Sequence, residues 1–324
     1  AFGISPLVIG LTVVAFGTSS PELAVSIKAA LSGQAEIAVG NVIGSNIFNV
    51  LFILGVSALI VPLVVTRQLV RLDVPLMIAL SVVVLLLCLD GRFGRIDGLL
   101  LFLGLVAYLW VLIRQGKRDP GGDADQAAGV GPAATESGAL RNLGLVIGGL
   151  ALLVLGSRWL VAGAVEFATY LGVSELIIGL TIVAAGTSLP EVVTSIIAAV
   201  RGERDIAVGN VVGSNLFNLM GVLGLAGIVA PSGIGVSPAV IGFDLPVMIA
   251  VALACLPIFF TGGVISRAEG ALLVGYYLAY TLYLVLAASH HDALAGFSAV
   301  MLWFVLPLTA ASLAFVAWNE LRAR

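Results

Sequence analysis

The chain has 324 residues, of which 60% are hydrophobic and only 10% charged, and its formal net charge is −3. A soluble domain carries roughly a quarter of its residues as charged side chains, so this composition excludes an ordinary soluble globular protein. Many apolar stretches reach the ~20 residues that a membrane-spanning helix needs. Both cysteines lie in apolar runs and predict no disulfide framework. We therefore predict an all-α polytopic membrane protein.

Hydropathy divides the chain into apolar segments separated by short polar stretches. In chain order, we predict spans over residues 7–31, 36–61, 72–90, 96–115, 141–167, 174–200, 205–230, 240–261, 268–288 and 294–318. Residues 116–139 contain Asp-Pro-Gly-Gly and Gly-Pro, which are typical of a flexible, solvated linker.

An internal repeat relates the two parts of the chain. Residues 10–55 align without gaps with residues 179–224, and 28 of the 46 positions are identical. The densest blocks read Gly-Thr-Ser-x-Pro-Glu and Ile-Ala-Val-Gly-Asn-Val-x-Gly-Ser-Asn-x-Phe-Asn. We predict a first repeat over residues 1–115, a linker over 116–139, a second repeat over 140–288 and an additional C-terminal helix over 289–324. The second repeat begins with a span that has no counterpart in the first, so we expect a complete first repeat to start one helix earlier.

Positive charge is distributed unequally between alternate loops, and cytoplasmic loops are the richer ones in Lys and Arg. One side holds eleven of these residues: Arg67, Arg71, Arg114, Lys117, Arg118, Arg141, Arg201, Arg204, Arg267, Arg322 and Arg324. The other side holds Lys28, Arg92 and Arg95. We therefore predict that the linker and the C-terminus are cytoplasmic, in a multi-pass protein of the cell inner membrane. The repeats then have opposite orientations, which places a binding site near the membrane midplane where they meet.

Two glutamates, Glu22 and Glu191, occupy matching positions of the repeats in the middle of apolar spans. A carboxylate at that depth costs at least ~2.5–3.5 kcal/mol on insertion scales, so it indicates a functional site. Pro21 and Pro190 precede them, and we expect each proline to free a backbone carbonyl oxygen one turn earlier. We therefore predict that the glutamates form an ion site.

Hydroxyl groups flank each glutamate. Thr18 and Thr187 lie four residues before Glu22 and Glu191, on the same helix face. Ser19 and Ser188 follow the threonines. Carboxylate, hydroxyl and carbonyl oxygens are hard ligands, which suit Ca²⁺ or Na⁺ better than soft metals.

A polar stripe follows on the next span of each repeat. Ser45 and Asn49, with their counterparts Ser214 and Asn218, are predicted to contribute to the ion site. Two roles stay open for the other amides of the stripe, which are ion binding and interhelical hydrogen bonding with glycines allowing close packing. These amides are Asn41, Asn46, Asn210 and Asn215. Asp73 and Asp244 each lie two residues before a proline, at the predicted start of a helix. We predict that they cap those helices.

The duplicated blocks closely resemble the paired alpha repeats of the cation/calcium exchanger superfamily, on its prokaryotic sodium/calcium exchanger side. The resemblance covers nearly the whole chain. It implies ten transmembrane helices in two inverted sets of five, here without the first helix and with one extra at the C-terminus. The function that it implies is antiport of Ca²⁺ against Na⁺, with the lipid bilayer as environment.

The resemblance also implies roles for individual residues. It implies a central Ca²⁺ site formed by Glu22 and Glu191 with Thr18 and Thr187. The flanking Na⁺ sites that it implies draw on Ala15, Ser19, Ser45 and Asn49, and on Ala184, Ser188, Ser214 and Asn218. Some relatives carry Asp at the position of Asn218, whereas this chain has neutral side chains at both equivalent positions. That departure leaves the counter-ion and the stoichiometry open.

Other functions fit the sequence less well. An enzyme would need a nucleophile with a base or a histidine-containing metal site, and the two histidines are adjacent in a loop. A passive channel is a second alternative, and discontinuous inverted repeats with paired acids favour a carrier over it. A purely structural membrane protein would not need duplicated acids. We therefore predict an antiporter, not an enzyme, that binds no resident cofactor and no nucleic acid and acts as a monomer. A Ca²⁺/H⁺ or K⁺-dependent exchanger is the alternative.

Overall fold

The structure is a computed structural model that describes residues 6–118, 136–170, 172–260 and 262–323. These residues are almost entirely helical, and the helices follow the predicted apolar segments. In chain order they are α1 (Leu7–Thr18), α2 (Ser20–Leu31), α3 (Ala35–Ile60), α4 (Leu69–Leu87), α5 (Arg95–Arg118), α6 (Glu136–Tyr170), α7 (Glu175–Thr187), α8 (Leu189–Val200), α9 (Arg204–Val229), α10 (Val240–Phe260), α11 (Arg267–Ala288) and α12 (293–323). The described part of the linker is helical at both ends, and its centre lies outside the described residues.

Length and hydropathy identify the helices that can cross a membrane. Among the described residues, seven helices meet both requirements, or nine if the pairs α1–α2 and α7–α8 each count as one span. In addition, α6 extends over the predicted span 141–167. The all-α polytopic architecture predicted from composition is therefore confirmed.

Two of the predicted spans are broken helices. The axis bends by 45° between α1 and α2 and by 44° between α7 and α8, with one residue, Ser19 or Ser188, at each break. Both serines have φ −81° and a ψ of 8–9°, outside the helical range. Pro21 and Pro190 then lie in the first turn of the following helix, where a missing N–H leaves no intrahelical bond unmade. The sequence indicated a weakened helix at these points, and the structure shows a sharp bend at one non-helical residue.

The centre of the molecule is formed by α3 and α9, which carry the polar stripes. Buried residues make up 78% of the apolar window of α3 and 89% of that of α9, whereas none of the window of α12 is buried. Close packing at the centre depends on glycine. A Cβ placed on Gly44 would lie 2.5 Å from the carbonyl oxygen of Leu180, and one on Gly213 would lie 2.7 Å from the Cα of Leu11. Each polar stripe therefore packs against the broken span of the other repeat.

Four two-residue strands connect the ends of helices from different repeats. Strand β1 (Leu63–Val64) pairs antiparallel with β4 (Val264–Ile265), and β2 (Arg92–Phe93) pairs antiparallel with β3 (Ile234–Gly235). The end of α3 is thus held beside the end of α10, and the end of α9 beside the end of α4. The ends of α3 and α9 therefore lie beside different strand pairs, and the inverted orientation of the repeats stays a prediction.

Asp73 and Asp244 are not helix caps, contrary to the prediction. Both have helical backbone at the end of a π-helical turn, and both are buried. Each accepts a hydrogen bond of 2.9 Å from a tyrosine hydroxyl, Asp73 from Tyr108 and Asp244 from Tyr280. The prediction was wrong because the helices start several residues before the proline, so the aspartates lie inside them.

Candidate functional site

The two glutamates lie in the first turn of the second helix of each broken span. Glu22 is in α2 and Glu191 is in α8, and neither has any solvent-accessible surface. The N-terminal end of a helix carries partial positive charge, which stabilises a carboxylate there. Ser19, three residues before Glu22, contacts Glu191, and Ser188, three residues before Glu191, contacts Glu22. The helix breaks thus bring two acids from different repeats into one buried site.

Each carboxylate is held by the serine at the break of the other repeat. The Ser19 hydroxyl donates to Glu191 Oε1 and the Ser188 hydroxyl donates to Glu22 Oε1, both at 2.8 Å. The second oxygen of each carboxylate, Oε2, has no hydrogen-bond partner among the described residues. One oxygen of each glutamate is therefore fixed, and the other is free to bind a ligand.

Thr18 and Thr187 end the first helices of the broken spans. The Thr18 hydroxyl is within hydrogen-bond distance of Asn210 Oδ1, at 3.2 Å, and the Thr187 hydroxyl of Asn41 Oδ1, at 3.0 Å. Both hydroxyls also lie near carbonyl oxygens one turn earlier in their own helices. Their protons are therefore used internally, which leaves the hydroxyl oxygen lone pairs for a cation.

The flanking residues contact the site both across the repeats and within one repeat. Ser45 donates to the carbonyl oxygen of Ala184 at 3.4 Å, and Ser214 donates to Glu191 Oε1 at 3.4 Å. The carbonyl oxygen of Ala15 lies one turn before Ser19, whose N–H it accepts. All of these residues are buried.

Asn49 and Asn218 each begin a π-helical turn, and both are fully buried. Asn49 Nδ2 donates to Asn215 Oδ1 at 3.0 Å, and Asn218 Nδ2 donates to Asn46 Oδ1 at 3.3 Å. Within the described part of the chain, the Oδ1 atom of neither Asn49 nor Asn218 has a hydrogen-bond partner.

Four unpartnered oxygen atoms are therefore buried in this region, two from carboxylates and two from amides. A buried polar atom without a partner costs on the order of 1–3 kcal/mol, and more when it is charged. A bound cation would satisfy such oxygens, and their chemistry suits a hard ion. Among the residues that the structure describes, no three His, Cys, Asp or Glu side chains are placed so that they could hold one metal ion. The ligands available besides the two carboxylates are therefore neutral oxygens. The arrangement fits a small cation that is bound and released.

The structure shows interhelical hydrogen bonds for the other amides, which is one of the two roles predicted for them. Asn41 Nδ2 donates to Ser26 and Asn210 Nδ2 donates to Ser195, both at 2.9 Å. Asn46 and Asn215 bind the amides of Asn218 and Asn49, as described above. These four side chains make interhelical hydrogen bonds that position the site, and sequence reasoning did not find Ser26 and Ser195. Their recurrence four residues after each glutamate was the available signal.

Comparison with known proteins gives a consistent result. The family model described as "Sodium/calcium exchanger protein" matches residues 1–114 and 141–286. The inner membrane protein YrbG of Escherichia coli is 41% identical over 260 residues, which cover 78% of this chain and 78% of YrbG. The sodium/calcium exchanger MaX1 of Methanosarcina acetivorans is 34% identical over 311 residues, covering 86% of this chain and 88% of MaX1.

A solved structure gives the same result for the fold. The sodium-calcium exchanger NCX_Mj, soaked with 2.5 mM Na⁺ and 0.1 mM Ca²⁺, superposes with a TM-score of 0.69 at 30% sequence identity. The alignment covers 86% of each chain. The similarity therefore extends over most of the helices described above.

Proposed function

Because the chain belongs to the sodium/calcium exchanger family, whose members are transporters and not enzymes, we propose that it exchanges Ca²⁺ for Na⁺ across the cell inner membrane by alternating access. The family membership makes the chain a cation/calcium antiporter of the membrane. The observation that carries the proposal is the pair of buried glutamates, each held by a serine of the other repeat and each with one free oxygen.

Glu22 and Glu191 bind Ca²⁺ in this proposal, with Thr18 and Thr187 as additional ligands. Two carboxylates neutralise one divalent ion, and their free Oε2 atoms are the acceptors that lack a partner in the described structure. Thr18 and Thr187 are the last residues of the helices that lead into the site, and their hydroxyl oxygens are the additional ligands. Charge balance and ligand chemistry therefore both favour Ca²⁺ at the centre.

Na⁺ ions bind on either side of this centre, at sites that draw on two groups of residues, one group from each repeat. The first group comprises Ala15, Ser19, Ser45 and Asn49, and the second comprises Ala184, Ser188, Ser214 and Asn218. Their carbonyl, hydroxyl and amide oxygens are neutral hard ligands, as a monovalent ion requires. The contact of Ser45 with Ala184 supports sites that are shared between repeats.

Coupling follows from the cost of an empty site. Two carboxylates without a counter-charge at the membrane midplane are strongly disfavoured. The protein therefore changes its facing only when Ca²⁺ or its counter-ions neutralise the pair, which makes the exchange obligatory.

The test is Ca²⁺ uptake by vesicles that contain the purified protein and have an outward Na⁺ gradient. Glu22→Gln and Glu191→Gln should each abolish uptake, because the single carboxylate that remains does not neutralise the two charges of Ca²⁺. Glu175→Gln is the matched control, because Glu175 is exposed in the first turn of α7. This variant should transport Ca²⁺ normally. Normal uptake by either site variant would disprove the site assignment.

The counter-ion is tested in the same vesicles by imposing Na⁺, K⁺ and H⁺ gradients separately. Uptake driven by Na⁺ alone is the expected result. Uptake that follows a pH gradient without Na⁺ would favour the alternative Ca²⁺/H⁺ exchanger, and a requirement for K⁺ would favour the K⁺-dependent one. Asn49 and Asn218, neutral at both equivalent positions, make this measurement necessary.

Orientation and oligomeric state are also part of the proposal. The excess of Lys and Arg on one side supports a cytoplasmic linker and C-terminus, and one chain supplies all proposed ion ligands, which supports a monomer. Accessibility of cysteines introduced at 125 and at the C-terminus to an impermeant reagent tests the orientation in intact cells. Light scattering of the purified protein tests its mass.

A further inference from the structure

Two buried methionines, Met77 in α4 and Met248 in α10, lie next to the amides of the polar stripes. Met77 Sδ is 3.4 Å from Asn215 Nδ2, and Met248 Sδ is 3.7 Å from Asn46 Nδ2. Both side chains are almost completely buried. Neither methionine belongs to the ligand sets proposed above.

Each methionine begins a chain of contacts that ends at a free amide oxygen. The first chain runs from Met77 to Asn215, whose Oδ1 accepts from Asn49. The second runs from Met248 to Asn46, whose Oδ1 accepts from Asn218. The same geometry therefore occurs twice, and each chain crosses between the repeats.

The direction of these hydrogen bonds follows from the chemistry of sulfur. A thioether accepts hydrogen bonds weakly and has no proton to donate. An amide beside it gains a hydrogen bond only when its NH₂ group faces the sulfur, which turns its oxygen away. That oxygen then accepts from the NH₂ group of the next asparagine, so the last oxygen in the chain has no partner. For Asn215 the backbone carbonyl of Asn46 is a second acceptor, at 3.3 Å, and favours the same orientation.

We propose that Met77 and Met248 are positioning residues that make Asn49 and Asn218 present their amide oxygens, and not their NH₂ groups, to the transported cation. The inference rests on the proposed function, because it concerns the flanking cation sites. A flipped amide would direct two N–H donors at a positive ion, so the orientation decides whether the residue attracts or repels it. Met77 acts on Asn49 through Asn215, and Met248 acts on Asn218 through Asn46.

The test replaces each methionine by leucine, which conserves most of the volume but has no acceptor. A single neutral hydrogen bond contributes about 0.5–1.5 kcal/mol, so the half-saturating Na⁺ concentration should rise about twofold to tenfold. The maximal rate of the purified protein should stay within error. Met220→Leu is the control, because Met220 is equally buried but lies against Gly104 and has no amide contact of this kind in the described structure.

Double variants separate positioning from a general packing effect. In an Asn49→Ala background, Met77→Leu should cause no further loss of Na⁺ affinity, whereas Met248→Leu should keep its full effect, since its chain ends at Asn218. The reverse should hold in an Asn218→Ala background. Equal effects of a methionine substitution in both backgrounds, or single variants indistinguishable from wild type, would overturn the inference.

Ca²⁺ binding by the purified wild-type protein, measured by calorimetry in the same buffers, keeps the two proposals distinguishable. Absence of Ca²⁺ binding and of Na⁺-driven flux in wild type would overturn the proposed function. Normal wild-type binding and flux with unaltered methionine variants would overturn only the positioning role.

Discussion

At the scale of single residues, Ser19 and Ser188 connect the two repeats through hydrogen bonds of their side chains. Each occupies a helix break and donates to the carboxylate of the other repeat at 2.8 Å. Hydrogen bonds to charged groups contribute about 1.5–3 kcal/mol. These serines therefore determine which carboxylate oxygen is left without a hydrogen-bond partner in the described structure, and in the proposed function that oxygen binds the cation.

Replacing Ser19 or Ser188 by alanine should weaken Ca²⁺ binding by roughly tenfold or more, because the opposite carboxylate loses its fixed orientation. Calorimetry on purified protein measures the loss. Ser20→Ala is the control, since the neighbouring Ser20 donates to the carbonyl oxygen of Phe16 and faces away from the site. Unchanged binding in both break variants would show that the cross-repeat bonds are dispensable.

At the scale of elements, close contact between helices depends on the glycines of the polar stripes. The position of Gly44 against α7 and of Gly213 against α1 leaves no room for a side chain. Because backbone atoms form the other side of the contact, a methyl group cannot be accommodated by rotating a side chain.

Gly44→Ala and Gly213→Ala should each destabilise the protein by about 1–3 kcal/mol through overpacking, which thermal unfolding in detergent would detect as a lower midpoint. Gly275→Ala in α11 should leave the midpoint unchanged or raise it, because nothing lies within 4 Å of the added Cβ and alanine is the better helix former. A Gly44→Ala protein as stable as wild type would contradict the packing described for α3 and α7.

The pairs Asp73–Tyr108 and Asp244–Tyr280 connect neighbouring helices within each repeat, α4 with α5 and α10 with α11. Tyr108→Phe or Tyr280→Phe should destabilise the protein by about 1–3 kcal/mol, since the buried carboxyl loses its donor. Unfolding of each variant is compared with that of Tyr170→Phe, because Tyr170 is 85% exposed. A midpoint shift no larger than that control would show that the carboxyls do not need the tyrosines.

At the scale of the whole molecule, the two repeats are joined at both ends of the bundle. Besides the strand pairs, Arg267 donates to the carbonyl oxygens of Leu59 and Ile60 at the end of α3. Arg95 donates to the carbonyl oxygen of Pro231, near the end of α9. Cations near a helix C-terminus interact favourably with its partial negative charge. These contacts hold together helices that the linker would leave free to separate.

A disulfide should form between cysteines introduced at positions 64 and 264, since Val64 and Val264 are directly paired residues of β1 and β4. Directly opposed residues of an antiparallel pair have Cα atoms about 4.5–5.5 Å apart, within the range for disulfides. With a protease site inserted in the linker, oxidised protein should stay as one band after cleavage and separate on reduction. The pair Val64→Cys and Gly235→Cys, from different sheets, should separate without reduction.

Sequence alone determined the solvent, the helices and the central acids. Composition excludes water as the only solvent, the spans follow from apolar length, and the duplicated Glu22 and Glu191 indicate function because buried charge in a membrane is costly. Each of these properties depends on residue type or on neighbours within a few positions. These three properties can therefore be predicted from the sequence without knowing which helices contact each other.

Only the tertiary structure decided which side chains contact the acids and the amides. Ser19 meets Glu191, Asp73 meets Tyr108, and Met77 meets Asn215, and each pair is far apart in the chain. Helical periodicity predicts which residues share a face, but not which faces of different helices come together. The orientation of the Asn49 amide depends on two such meetings in succession. That is the physical reason why the sequence alone does not predict which carboxylate and amide oxygens are left without a partner.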